Sequence, residues 1–285
     1  MENIIILNQK EFDEKKQKLI KGGKGKVHII SDFDGTITKA FLNGKKIPSI
    51  VSLLRMGDYI SENYAKKAHE LYNKYRPIEI DLKLSKEEKN KFMHEWWKKH
   101  FQLMISCGLN QDIIKKLVND ILEKKTLEFR EKSDELFKLL HKDKIPVILM
   151  SASTGDIIKE LLLRKKMLSL NVHLIANFLK FDKNAQVIGV QEPIIHSMNK
   201  KEFEVKSFDF YYEIEKRKNV ILLGDKVEDI DMIEGFDYDC LLKIGFLNED
   251  VEDNLESFKK SFDVVILDDG SLKFVYDLIK EIKNN

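Results

Sequence analysis

The chain is 285 residues long, and its 49 Lys and Arg offset 48 Asp and Glu to a formal net charge of +1 at pH 7. That length suits one large domain or a core with an insertion, while the balanced charge offers no electrostatic surface for nucleic acid. Two cysteines, Cys107 and Cys240, exclude a disulfide framework or a structural zinc site, and no apolar run approaches the ~18 residues of a membrane span.

At the start of the chain, Ile4-Ile5-Ile6-Leu7 is too short for the apolar region of a secretory signal, so a cytoplasmic protein is expected. Lys15 to Ile20 reads as the end of a helix stopped by Gly22-Gly23. The Gly- and Lys-rich string 21–26 lacks a GK[ST] ending and precedes a strand, which makes it a connector and not a phosphate loop. The β-branched run Val27 to Ser31 is a buried strand, and it enters Asp32-Phe33-Asp34-Gly35-Thr36.

Between roughly 46 and 130 the pattern changes. Ile47 to Met56, Ser61 to Tyr75, Ser85 to Cys107 and Gln111 to Leu122 show helical periodicity without a convincing strand. Ser85 with Glu88 forms a capping box for the longest of these helices. A helical block this long exceeds an ordinary crossover. The chain is therefore expected to divide into an α/β core, 1–46 with 130–285, and an inserted helical cap, 47–129.

From about residue 130, short apolar runs alternate with amphipathic stretches. Val147 to Met150 runs into Ser151, and Asn219 to Leu223 runs into Gly224-Asp225. Cys240 to Ile244 and Val264 to Leu267 are further strands, while Ile157 to Leu163 and Phe274 to Ile282 are helical. Such alternation predicts an α/β fold around a mostly parallel sheet, with ligands at the carboxyl ends of its strands. Asp32, Asp34, Ser151 and Asp225 all fall there. Asn177 to Glu192, centred on Asp182-Lys183-Asn184, is expected as a β-hairpin outside that sheet.

Asp32 and Asp34 lie one residue apart, on the same side of the strand end, with Phe33 packing away from them. Two carboxylates that close raise each other's pKa unless a cation lies between them. A hard divalent ion such as Mg²⁺ suits an oxygen-only site of this kind.

With Asp32-Phe33-Asp34-Gly35-Thr36, Met150-Ser151-Ala152-Ser153, Asn199-Lys200 and Gly224-Asp225 followed by Asp229, the chain resembles the haloacid dehalogenase superfamily of phosphatases. Its four motifs occur in this order on this strand pattern, and the resemblance implies a Rossmann-like core. It further implies Asp32 as nucleophile, Asp34 as general acid and base, and Mg²⁺ held by Asp32, the main-chain carbonyl of Asp34 and Asp225. Ser151, Ala152 and Lys200 would bind the phosphoryl oxygens. Phe33, Thr36 and Asp229 would support the site, Asp229 by holding a metal-bound water or by orienting Lys200. The chemistry is coherent: phosphate-monoester hydrolysis needs charge neutralisation, an in-line nucleophile and a proton for the departing alkoxide.

Glu70 to Asp81, Glu87-Glu88-Lys89, Met93-His94-Glu95-Trp96-Trp97, Leu242 to Asn248 and Ser261 to Val265 narrow this further. They look like the cytosolic type III 5′-nucleotidases, the pyrimidine 5′-nucleotidase family, over nearly the whole chain. The resemblance implies base contacts at Glu79, Trp97 and His100, and Trp96 is assigned to packing inside the cap. A carboxylate accepts from a cytosine amino group or a uracil N–H, and an indole stacks on any base. Three positions depart from the family pattern: Gly35, Ser153 and His100, where relatives often carry a bulkier apolar residue, a glycine and a small hydroxyl residue. The expected function is Mg²⁺-dependent hydrolysis of CMP and UMP through an aspartyl-phosphate, with phosphotransfer to a nucleoside permitted, by a monomer. The alternatives are 7-methylguanosine monophosphate as substrate, a small non-nucleotide ester, or a catalytically silent nucleotide-binding relative.

Overall fold

The computed structural model describes residues 3–81, 83–200, 208–234 and 237–283. The chain opens with strand β1 (Ile4–Ile6), helix α1 (Gln9–Gly22), strand β2 (Val27–Ser31) and the short hairpin β3 (Phe41–Leu42) and β4 (Lys45–Lys46). Helices α2 (Ile50–Met56), α3 (Glu62–Ile80), α4 (Lys86–Ser106), α5 (Gln111–Lys124) and α6 (Ser133–Lys142) follow. Next come β5 (Val147–Thr154), α7 (Gly155–Arg164), β6 (Val172–Asn177), the hairpin β7 (Leu179–Phe181) and β8 (Val187–Val190), and α8 (Tyr211–Ile214). The last elements are β9 (Asn219–Gly224), a 3₁₀ turn (Val227–Ile233), β10 (Cys240–Leu247), α9 (Val251–Ser261), β11 (Val264–Leu267) and α10 (Lys273–Lys283).

Seven of these strands form one sheet in the order β1-β11-β10-β9-β2-β5-β6. All neighbours are parallel except β1, which runs antiparallel to β11. Strand β2 is central and buried throughout, as expected where helices cover both faces. Register aligns the catalytic end: Ser31 lies opposite Leu149 on one side and Leu223 on the other. The next residue on each strand, Asp32, Met150 and Gly224, therefore emerges at one level.

The predicted helices and the hairpin at 179–190 are present, as is the reciprocal Ser85–Glu88 capping box. Helix α1 ends where expected, with Gly23 at φ 65°. Two boundaries differ. Helix α3 does not stop near Tyr75 but continues through Pro77 to Ile80, so Glu79 lies on its last turn. Strand β5 passes Ser151 and ends at Thr154, with a register shift against β6 between Met150 and Thr154. That irregularity turns the Ser151–Ser153 backbone out of the ladder. The apolar core is continuous from β2 and β5 into α2, α3, α4 and α5. No helix among the described residues is long and apolar enough to cross a membrane.

Candidate active site

A cavity of about 440 Å³ opens at the carboxyl ends of the strands, a size suited to a small organic ligand. Asp32, Asp34, Ser151, Ala152 and Lys200 line one part of it, and Glu79, Trp97 and His100 line another. Residues more than 160 positions apart thus meet in one chamber.

Three carboxylates form the acidic floor. Oxygens of Asp32, Asp225 and Asp229 lie within 4.8 Å of one another. Burial pushes the Asp32 carboxyl up to about 6 despite the opposing Lys200 charge. Burial also raises Asp34, against hydrogen bonds from Ser153 and the Ile50 amide, and holds Asp225 well above the usual carboxylate range. Asp225 Oδ1 is buried with no hydrogen-bond partner among the described residues. A buried acceptor left open beside two further carboxylates is what a hard divalent cation satisfies; the donor set fits Mg²⁺. Asp225 also borders a neighbouring cavity of about 570 Å³ that reaches Asp34.

Lys200 is 9% exposed. Burial alone would lower its pKa, but Asp229 and Asp32 hold it above the ordinary value. Its Nζ donates to Asp32 and, at 3.3 Å, to Asp229 Oδ1. The other oxygen of Asp229 accepts the backbone amides of Asp225 and Lys226, each at 3.1 Å. Asp229 therefore orients Lys200 while folding the turn after β9. Asn199 shapes the approach, accepting from the His196 amide at 2.7 Å and donating to the Ile194 carbonyl at 2.9 Å.

The Asp32–Thr36 loop is held tightly. Phe33 is fully buried and edge-on to Phe129 at 6.0 Å, and the Thr36 amide donates to the Phe33 carbonyl at 3.3 Å. Gly35 sits at φ 81°, and a Cβ there would meet Asp225 Oδ2 at 2.6 Å. That departure from the family pattern therefore touches the acidic cluster, not only the loop. Ser153, the second departure, donates to Asp34 Oδ2 at 2.8 Å, while the Ile50 amide at the start of α2 donates to Oδ1 at 3.2 Å.

Helix α4 presents a whole stripe to the cavity. Trp96 packs within the helical block, stacked on Tyr75 at 5.8 Å and edge-on to Tyr72 at 6.1 Å, but it is only half-buried and also lines the cavity. Trp97 also lines the cavity and packs its other side on the core. Trp97 and Trp96 lie three and four residues before His100 on the helix, so both indoles neighbour it on the face that lines the cavity.

His100 is 4% exposed, and its Nε2 hydrogen-bonds the Tyr64 hydroxyl at 3.0 Å. Burial, then the Arg55 charge, lowers its pKa to about 3. The unfolded chain, with an ordinary value of 6.5, binds the proton more readily. The stability this neutral histidine allows is complete above pH 6.5 and is lost as pH falls toward 3. The thermal midpoint is expected to drop between pH 7 and 5, and to drop less in His100→Gln; calorimetry at both pH values checks this, and equal slopes would refute it. His196, lowered to about 4 by burial first, leaves a residual slope of the same sign.

Glu79 accepts from Arg76 at 2.5 Å and from Ser197 Oγ at 2.8 Å, and Ser197 belongs to the loop that carries Lys200. Five side chains that shape the site had no local sequence signal: Arg55, Arg76, Ser197, Asn177 and Arg130. Asn177 is fully buried and clamps Ala152 to Ile195 through its amide. Only its place at a strand end could have marked it.

A model of the pyrimidine 5′-nucleotidase family (UMPH-1) matches residues 35–283. The 7-methylguanosine phosphate-specific 5′-nucleotidase of Homo sapiens is 34% identical over 265 residues, spanning 93% of this chain and 87% of the relative. The crystal structure of cytosolic 5′-nucleotidase IIIB bound to cytidine is similar with a TM-score of 0.90 at 30% identity, covering 100% of this chain and 95% of that one. A probable phosphoserine phosphatase from Vibrio cholerae shares the fold alone, with a TM-score of 0.57 at 13% identity over 91% of this chain and 66% of that one.

Proposed function

This chain belongs to the pyrimidine 5′-nucleotidase (UMPH-1) family of phosphoric monoester hydrolases, and on that premise we propose that it hydrolyses pyrimidine nucleoside 5′-monophosphates, CMP and UMP, with Mg²⁺. One observation carries the reading: a single cavity joins Asp32, Asp34, Ser151 and Lys200 to Glu79, Trp96, Trp97 and His100. The cavity thus offers a candidate phosphate end and a candidate base end.

In this reading Asp32 attacks phosphorus and the ester oxygen leaves with a proton from Asp34. Asp34 then takes a proton from water as it attacks the aspartyl-phosphate, releasing phosphate and restoring the carboxylate. A nucleoside hydroxyl in place of that water gives phosphotransfer. Ser151, the backbone at Ala152, and Lys200 hold the phosphoryl oxygens. Asp32, Asp225 and the main-chain carbonyl of Asp34 would hold the cation, which when bound would neutralise charge on the phosphoryl group. Thr36 and Phe33 keep the loop in place, and residues 47–129 serve as the cap over the core formed by 1–46 and 130–285. The protein acts in the cytoplasm as a monomer.

A second reading, 7-methylguanosine monophosphate, is favoured by the two indoles facing the cavity, since paired aromatic faces suit a methylated cationic base. The human relative's name points the same way.

Phosphate release from CMP, UMP, 7-methyl-GMP, AMP and ribose 5-phosphate, with Mg²⁺ and with EDTA, tests both readings. Metal-dependent release led by CMP and UMP is expected. Release led by 7-methyl-GMP would replace the first reading by the second, and undiminished release in EDTA would remove the metal from the mechanism.

A further inference from the structure

The base end of the cavity holds a buried positive charge that the nucleotidase chemistry does not use. Arg55, near the end of α2, is 7% exposed and lines the cavity. Its guanidinium lies 4.2 Å over the Tyr72 ring, and Nη2 donates to Ser52 Oγ at 3.1 Å. Nε is buried with no hydrogen-bond partner, and no carboxylate pairs with the group among the described residues. A guanidinium drawn largely out of water with one hydroxyl acceptor and no carboxylate is under-satisfied, and as a lining group of the cavity it can donate to an acceptor on a ligand there.

The neighbours fix the sign of the local field. Glu79 is the acidic group of this end, and Arg76 already pairs with it at 2.5 Å. His100 is neutral near pH 7, and Tyr72 stacks under Arg55 without charge. Glu79 and Arg76 cancel, so Arg55 leaves the base end with one net positive charge.

We propose that Arg55 is a specificity-determining residue that donates to a carbonyl oxygen of a neutral base and repels a base carrying positive charge. This rests on the nucleotidase reading of the cavity and deepens it. Uracil and cytosine offer a ring carbonyl and no charge. A 7-methylguanine ring offers a carbonyl too, but carries positive charge at the methylated imidazole, and it meets a second cation in a space of low dielectric. The indoles stack on either ring, so discrimination falls to charge and hydrogen bonding, where a buried donor left unpaired rejects strongly.

Two measurements test the assignment. The first is the ratio of kcat/KM for UMP to that for 7-methyl-GMP in the parent chain, Arg55→Met and Arg55→Lys. Loss of the guanidinium is expected to reduce the UMP value roughly 10- to 100-fold, as for a charged hydrogen bond, mainly through KM. The 7-methyl-GMP value is expected to rise, so the ratio falls in Arg55→Met. Arg55→Lys keeps the charge, loses the fork and retains the rejection of 7-methyl-GMP. The second is binding of uridine and 7-methylguanosine followed by intrinsic tryptophan fluorescence. The chain has only two tryptophans, and both line this cavity, so the signal reports the site without turnover and exposes a variant that fails to fold. Weaker uridine binding and tighter 7-methylguanosine binding in Arg55→Met support the role. An active, folded Arg55→Met chain with both ratios unchanged would overturn it. A parent chain that releases phosphate from no nucleotide would instead overturn the reading of the cavity on which the role depends.

Discussion

Replacing Asp32 by asparagine is expected to reduce phosphate release at least ~10⁴-fold, as for loss of a catalytic nucleophile, with the fold retained. The amide preserves the shape of the side chain but cannot form the aspartyl-phosphate. Stability should not suffer. Asp32 is one of three carboxylates converging within 4.8 Å, and burial already pushes its carboxyl up to about 6 even with Lys200 alongside. Removing one negative charge relieves repulsion in the metal-free chain, and Lys200 keeps Asp229 at 3.3 Å. The melting temperature in EDTA is therefore expected to stay level or rise. Rate measurements beside calorimetry check both halves, and a variant retaining more than ~1% of the parent rate would place the nucleophile elsewhere.

The largest stability effect is expected at Arg130, whose side chain is 0% exposed. Its guanidinium donates to the Gly35 and Gly270 carbonyls at 2.5 Å, to the Thr36 carbonyl at 2.9 Å and to Asn248 Oδ1 at 2.7 Å. It pairs with Asp269 at 3.0 Å and lies 4.3 Å over the Phe246 ring. Asp269 in turn accepts the amides of Ala40 and Phe41. One residue thus ties the Asp32–Thr36 loop, the start of β3 and the end of β11 together. Arg130→Met removes the ion pair of the partly buried Asp269 and the donors to the Thr36 and Gly270 carbonyls, a loss of about 3–5 kcal/mol. For a chain this size that is roughly 10 °C in melting temperature. Activity should fall too, because the loop carrying Asp32 and Asp34 loses its anchor. Arg130→Lys should recover little, since one ammonium cannot serve that fork. Denaturant unfolding of the two variants decides the matter; a methionine variant as stable as the parent would refute the assignment.

The Rossmann-like α/β core was legible because parallel strands buried on both faces appear as short, mostly apolar runs. Val27–Ser31, Asn219–Gly224 and Val264–Leu267 are of that kind. The sheet edges were not legible. Strand β6 is partly exposed and carries His173 and Asn177, and β1 has three residues that pair only with β11. At the proposed phosphate end, Asp32 and Asp225 directly follow strands β2 and β9, a local pattern the sequence shows, whereas Ser151 lies inside β5 and Lys200 in a loop. The base end was harder. Adjacent Trp96 and Trp97 share a helical stripe with His100, and periodicity alone cannot say how wide the facing cavity is. Arg130 was invisible because its partners lie 94 to 140 residues away, and no local pattern encodes a contact of that span.

Helix α2 has a further consequence. Its first amide, on Ile50, holds Asp34, and Arg55 stands five residues along. At 1.5 Å per residue these points are about 7.5 Å apart along the axis, on one short rigid rod. If Asp34 and Arg55 serve as proposed, they could not move independently, and the helix would act as a built-in gauge for the span from phosphorus to ring. A positional isomer with its phosphate on the 3′ oxygen puts the ring at another distance and angle once phosphorus reaches Asp32. On that proposal regiochemistry would be decided by a length, before any individual hydrogen bond is compared.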